Sequence, residues 1–296
     1  MTARLIDGKA IADEIKNELK AEIEQLKNKY SLTPGLATVL VGDDPASHVY
    51  VNLKIKNCQS LGIASFNHQL GSGTSQEELL GLVHKLNADP AVHGILVQVP
   101  LPKQINETEI LLAIDPKKDV DGFHPYSLGR MMIGEETFLS CTPAGIQQLL
   151  IRSNIKTEGA HVVVVGRSNI VGKPIANILV QKNKFANATV TICHSRTPDI
   201  SYYTRQADIL IVAIGIAGFI TADMVKEGAT VIDVGTNRIG TTSSGKAKLT
   251  GDVAFDEVSK KAGAITPSPG GVGPMTIAML MANTVKAAKL SIGLKP

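Results

Sequence analysis

One stretch narrows the choice of fold more than any other: His161-Val162-Val163-Val164-Val165-Gly166-Arg167-Ser168-Asn169-Ile170-Val171-Gly172-Lys173-Pro174. Four consecutive β-branched apolar residues make a strand that can be buried on both faces, as strands of a parallel sheet are. Gly166 ends that strand. After a polar loop, Gly172, Lys173 and Pro174 open an apolar helical pattern with Ile175, Ile178 and Leu179. Strand, glycine turn and helix start together place backbone N–H groups and a positive helix end against a phosphate. The spacing departs from G-x-G-x-x-G, because Ser168 holds the second glycine position and the next glycine comes four residues later. Taken alone, the stretch also fits a plain strand–turn–helix corner.

The rest of the chain predicts two α/β units. Ile11, Ile15, Leu19, Ile23 and Leu26 recur at helical spacing, which predicts a long amphipathic helix over 8–30. A strand over 36–41 follows, and Asp44 before Pro45 is an N-cap with proline in the first turn of a helix that Gly62 ends. Further strands are expected over 64–70 and 93–99. Between them Thr74 and Glu77 form a capping box. A short helix over 107–114 leads to a polar loop over 115–122. From Cys141 a helix runs to about Arg152, and strands are then expected over 161–165, 189–193, 208–213, 230–234 and 249–253. The stretch 266–273 reads as a Pro/Gly loop, and Pro274 as the start of a last helix. We expect a first domain over 1–139, completed by the helix over 274–296, and a Rossmann-like dinucleotide domain over 140–273.

Composition limits the function classes. With 296 residues, 44% of them hydrophobic and 19% charged, the chain has material for two ordinary cores. A net charge of +3, with its basic residues scattered, gives no argument for nucleic acid or an anionic membrane. Three widely spaced cysteines (Cys58, Cys141, Cys193) form neither a disulfide framework nor a zinc pattern, and no metal is expected. Residues 1–20 carry Arg4, Asp7, Lys9, Asp13, Glu14 and Lys16, so they hold no apolar signal core. These features point to a reducing, cytoplasmic setting.

Several side chains are suited to chemistry. Tyr50 and Lys54 are four apart and share a helix face just past the carboxyl end of a strand, with Ser47 on the same turns. The bland account is a surface pair with a snorkelling lysine. The sharper one is a lysine that loses solvent and serves as a base. Gln98, near the end of an apolar strand, needs a specific partner if buried. It either pins a loop or orients Lys54 without an ion pair that would keep the amine protonated. Asp121 either makes a local turn or accepts both N–H donors of a guanidine-like ring edge, as a pterin presents. Cys141 reads as a bystander thiol at a helix cap. In the dinucleotide half, the second strand ends at Cys193-His194-Ser195-Arg196-Thr197, with no acid to hold a ribose 2′-hydroxyl. Arg167 adds a guanidinium suited to an extra phosphate, so NADP is expected rather than NAD. In 269–274 three glycines in four positions permit close backbone approach to a ligand, a flexible hinge being the competing account.

The ordered motifs resemble one family, the bifunctional methylenetetrahydrofolate dehydrogenase/methenyltetrahydrofolate cyclohydrolases. The resemblance rests on Ser47 through Lys54, Val97-Gln98-Val99-Pro100-Leu101-Pro102, Lys118-Asp119-Val120-Asp121-Gly122, Cys141-Thr142-Pro143 and Gly166 through Pro174. Asp233-Val234-Gly235, Gly251-Asp252-Val253 and Pro269 through Thr276 complete it. It implies a folate-binding domain and an NADP domain with the active site in the cleft between them. It also implies a homodimer and a small-molecule folate substrate, oxidised by NADP to the methenyl form and then hydrolysed to 10-formyltetrahydrofolate. By position Lys54 is the catalytic lysine, Tyr50 stacks on the folate, Gln98 tunes the lysine and Asp121 holds the pterin. Gly166, Arg167, Ser168, Ser195 and Thr236 line the cofactor site. Val99, Ser140, Ser268 and Thr236 depart mildly from the family pattern. The rival expectations are a dehydrogenase without the hydrolase step and a non-catalytic NADP-responsive binding protein.

Overall fold

The computed structural model describes residues 2–241 and 247–295. It divides into two compact units, one of Met1–Asp13 with Thr142–Thr276, the other of Glu14–Cys141 with Ile277–Pro296. The chain opens with a two-residue strand β1 (Arg4–Leu5) and helix α1 (Gly8–Tyr30), whose Ile11, Ile15, Leu19, Ile23 and Leu26 are all buried. Then follow β2 (Gly35–Val41), α2 (Pro45–Leu61), β3 (Ala64–Leu70), α3 (Gln76–Ala88), β4 (Gly94–Val97), α4 (Glu107–Ala113) and α5 (Pro125–Met132). The three strands form a parallel sheet in the order β3-β2-β4. Its central strand is buried along its whole length. The cap of α3 is Ser75, whose side chain accepts from Glu78 N, and not Thr74 as the sequence suggested. Helix α5 was not anticipated.

The second sheet follows α6 (Cys141–Arg152). Strand β5 (His161–Val165) leads through α7 (Gly172–Val180) to β6 (Thr189–Cys193). Helix α8 (Ile200–Thr204), β7 (Ile209–Val212), a 3₁₀ turn (Ala222–Met224) and β8 (Thr230–Asp233) come next. Two largely exposed strands, β9 (Asn237–Thr241) and β10 (Ala247–Thr250), pair antiparallel and, among the described residues, only with each other. After α9 (Phe255–Val258), β11 (Ala264–Ile265) and α10 (Val272–Ser291) end the chain. The six-stranded parallel sheet has the order β1-β11-β8-β7-β5-β6. Val162 to Val165 are fully buried, each contributing about 1.5 kcal/mol or more on folding.

Two expectations are corrected here. Residues 249–253 are not a strand of the parallel sheet: 247–250 lie in the hairpin, and Val253 makes only an isolated bridge to Ile220. The first residues join the six-stranded sheet, because β1 pairs in parallel with β11 (Arg4 with Ala264, Leu5 with Ile265).

Candidate active site

Open parallel sheets bind ligands beyond the carboxyl ends of strands where the winding reverses. In the three-stranded sheet that point lies between β2 and β4, since the chain goes from β2 to β3 on one side and returns to β4 on the other. Lys54 and Gln98 both lie beyond it. Asp44 caps α2 by accepting from Ser47 N at 2.7 Å, and Gly62 closes the helix in the left-handed conformation (φ 78°). Ser47 is therefore buried in the cap rather than offered beside Lys54. Gln98 is fixed by its own backbone N–H, which bonds Val39 O at 2.8 Å, and by its Nε2, which donates to Val99 O at 2.7 Å. That donation turns Oε1 outward, where it accepts from Lys54 Nζ at 2.9 Å. Tyr50 stands one turn before Lys54 and is 47% exposed, with no hydrogen bond or ring contact among the described residues.

Asp121 approaches from the loop after α4. Lys118 O accepts from both Ile95 N (2.8 Å) and Val120 N (2.9 Å), and Gly122 N bonds Asp119 O. The buried Asp119 carboxylate accepts from Phe123 N and His124 N at 3.2 and 2.9 Å. Gly122 has φ 70°, and a Cβ there would lie 2.6 Å from Leu139 C, so only glycine fits. Asn283 of α10 donates to Val120 O (2.8 Å) and Leu139 O (3.0 Å) and so clamps both sides of this loop. Desolvation pushes the Asp121 carboxyl up to about 6, and Asp119 adds to the rise; the Lys54 ammonium and the Cys141 thiol oppose it. Lys54 is thus within electrostatic reach of both Gln98 and Asp121, while Tyr50 shares only its helix face. Cys141 is buried and its thiol donates to Val120 O at 3.3 Å. Burial holds that thiol well above the ordinary range, which suits a packing role and not a nucleophile.

In the six-stranded sheet the reversal lies between β5 and β7. Gly166, at the end of β5, has φ 131°, and a Cβ on it would stand 2.3 Å from Ala213 O at the end of β7. A Cβ on Gly172 would meet Gly166 O at 2.2 Å. Between them Ser168 Oγ accepts from Val171 N and Gly172 N, turning the loop into the start of α7. This close-packed cradle leaves Arg167 and Ser168 exposed, as a phosphate grip requires. Val165 pairs with Cys193, so Arg167 and Ser195 each stand two residues beyond neighbouring strand ends. Ser195, Arg196 and Thr236 are exposed.

Two buried aspartates that sequence reasoning did not single out as site residues hold the loops around these strand ends. Asp233 accepts from Gly235 N, Asp252 N and Val253 N, and desolvation raises its carboxyl to about 6. Asp252 accepts from Ile214 N, Gly215 N and Asn237 Nδ2. Their motifs were legible; apart from the local bond to Gly235 N, their bonds join segments 15 to 38 residues apart.

A doubly wound sheet with a glycine cradle and cationic flank marks a dinucleotide-dependent α/β enzyme, here with a second parallel unit carrying a lysine–amide pair. The catalytic-domain model of tetrahydrofolate dehydrogenase/cyclohydrolase matches residues 6–121, and the NAD(P)-binding-domain model of the same enzymes matches residues 140–292. The chain belongs to the tetrahydrofolate dehydrogenase/cyclohydrolase family. It is 63% identical over 294 residues to the bifunctional protein FolD of Dehalococcoides mccartyi (strain CBDB1), covering 99% of each chain. The crystal structure of the bifunctional FolD of Campylobacter jejuni is 52% identical with a TM-score of 0.92, covering 97% of this chain and 99% of that one. The Trypanosoma brucei enzyme, solved with NADP cofactor and inhibitor, is 39% identical with a TM-score of 0.93 and covers 99% of each.

Proposed function

We propose that the chain oxidises 5,10-methylenetetrahydrofolate with NADP to the methenyl form and then hydrolyses that product to 10-formyltetrahydrofolate. The bond from Lys54 Nζ to Gln98 Oε1 carries the reading. Gln98 Oε1 is a neutral acceptor, so it orients the amine without itself forming an ion pair with it. The methenyl ring is itself a cation and favours an uncharged amine beside it. Lys54 Nζ then takes a proton from the attacking water, with the charged ring as electrophile. Asp121 accepts the paired N–H donors of the pterin edge, which restore to its carboxylate the stabilisation lost on desolvation. Tyr50, open on the same helix face, stacks on the bound folate.

NADP supplies the hydride acceptor. Gly166, Ser168 and Thr236 line its site, while Arg167 and Ser195 take the 2′-phosphate. The lack of an acid over 194–197 and the NADP found with the Trypanosoma brucei relative support this choice over NAD. A homodimer working in the cytoplasm completes the reading. Support for it comes from the family resemblance, and no described helix is long and apolar enough to cross a membrane. Light scattering on the purified chain measures the oligomer directly.

Separate assays of the two steps test the assignment. In Lys54→Ala, methenyl hydrolysis should fall by about 10²–10⁴-fold, the usual contribution of a general base. NADP affinity should stay within about twofold. Hydrolysis at the parental rate would overturn the role of Lys54. A parental chain that oxidises without hydrolysing would be a monofunctional dehydrogenase.

A further inference from the structure

The unit that carries Lys54 has a well-formed concavity elsewhere. A cavity of about 820 Å³ opens at the amino end of β4, lined by Val92, His93, Lys117, Lys118, Phe138 and Leu290, among others. Gln98 lies beyond the other end of the same strand, five residues on, or roughly 16 Å at 3.3 Å per residue. The cavity and the candidate active site are therefore at opposite ends of the sheet.

Its polar groups are built for an anion. His93 is 7% exposed, and its Nδ1 accepts from Gly35 N at 3.0 Å. The ring proton is thereby placed on Nε2, which has no hydrogen-bond partner among the described residues. Burial and the neighbouring Lys118 hold the imidazole below its ordinary range, in keeping with that neutral donor. Lys118 Nζ bonds two backbone carbonyls, Leu86 O at 3.0 Å and Asp89 O at 2.8 Å, leaving its third hydrogen over. The exposed side chain of Lys117 has no ion-pair partner among the described residues. Of the acids nearby, Glu136 pairs with Lys286 at 3.1 Å, Asp115 Oδ1 accepts from Lys117 N, and the charges of Asp115 and Asp89 act on Lys118, which leaves Lys117 as the cation without an ion-pair partner among the described residues. The walls between these groups are apolar or aromatic, from Leu32, Val92, Phe138, Leu290 and Ile292.

We propose that this cavity is a second small-molecule site, for an amphipathic monoanion whose carboxylate or sulfonate meets His93 and Lys117 while its hydrocarbon or aryl body fills the apolar walls. Its size suits a ligand of that kind. His93 Nε2 is open to the cavity rather than sealed in the core, so an entering acceptor can reach it.

The test uses the full chain, saturated with NADP and tetrahydrofolate so that both known kinds of site are filled. Titration with 8-anilinonaphthalene-1-sulfonate should give saturable binding of one probe per chain, displaced by octanoate. Lys117→Glu and Leu290→Asp, both at exposed positions, should each weaken binding at least tenfold while far-ultraviolet circular dichroism is unchanged. Tyr50→Ala should leave it unaltered. The proposal is overturned by non-saturable binding, by displacement with excess NADP or folate, or by parental affinity in both charge variants.

Discussion

Replacing Asp121 with asparagine should stabilise the free protein while damaging its folate site. Desolvation raises this carboxyl from 3.8 to about 6 in the folded chain. At 1.36 kcal/mol per unit, a shift of that size costs the fold about 3 kcal/mol above pH 6. Because Asp121 is only partly buried, solvent screening reduces the expected gain in Asp121→Asn to about 2 kcal/mol at pH 8. The folded state binds more protons than the unfolded one between the two pKa values. Stability contributed by this group therefore falls as pH rises through that window. The advantage of Asp121→Asn should be full above about pH 6 and shrink towards zero near pH 4. Urea unfolding followed by circular dichroism, at intervals from pH 8 to pH 4.5 without ligand, measures it. An asparagine variant less stable than the parent at pH 8, or an advantage that does not diminish on acidification, would refute the reasoning.

The same carboxyl should make substrate binding pH-dependent: KM for the folate substrate should rise about tenfold per unit below pH 6, and Asp121→Asn should flatten that slope. Arg167→Ala should weaken NADP by about 10–100-fold through loss of a charge-assisted bond, with NAD nearly unaffected; equal losses in equilibrium titrations reject the 2′-phosphate assignment. Asn283→Ala frees the carbonyls of Val120 and Leu139. It should raise KM for folate and leave KM for NADP alone, and a change in both would count against a positioning role.

Elements with a long period or strong punctuation could be read from the sequence. Helix α1 shows its buried stripe over about four turns, and Asp44-Pro45 with Gly62 marks both ends of α2. Strand β3 and helix α6 fall where their residues predict. What escaped is short or exposed. Helix α5 buries only Ser127 and Met131, too few for a period to show. The β9–β10 hairpin is mostly solvent-facing, so no alternation distinguishes it from loop. Strands β1 and β11 have two residues each and exist because of the partners they find. The site divides in the same way. Gln98 betrayed itself as a lone amide in an apolar strand, and Lys54 by its helical spacing from Tyr50. Asn283 gives no local signal, because its partners at Val120 and Leu139 are 163 and 144 residues away.

The pairing of Arg4 with Ala264 bears on how the chain is made. A ribosome must reach Ala264 before the outermost strand of the larger sheet meets its neighbour, and the other unit waits equally for Ile277 onward. Neither half can finish early, so nascent chains carry an uncovered sheet edge, an invitation to self-association, until β11 and α10 have been made. Fusions that sequester the amino terminus should therefore lower soluble yield more than fusions at the carboxyl end.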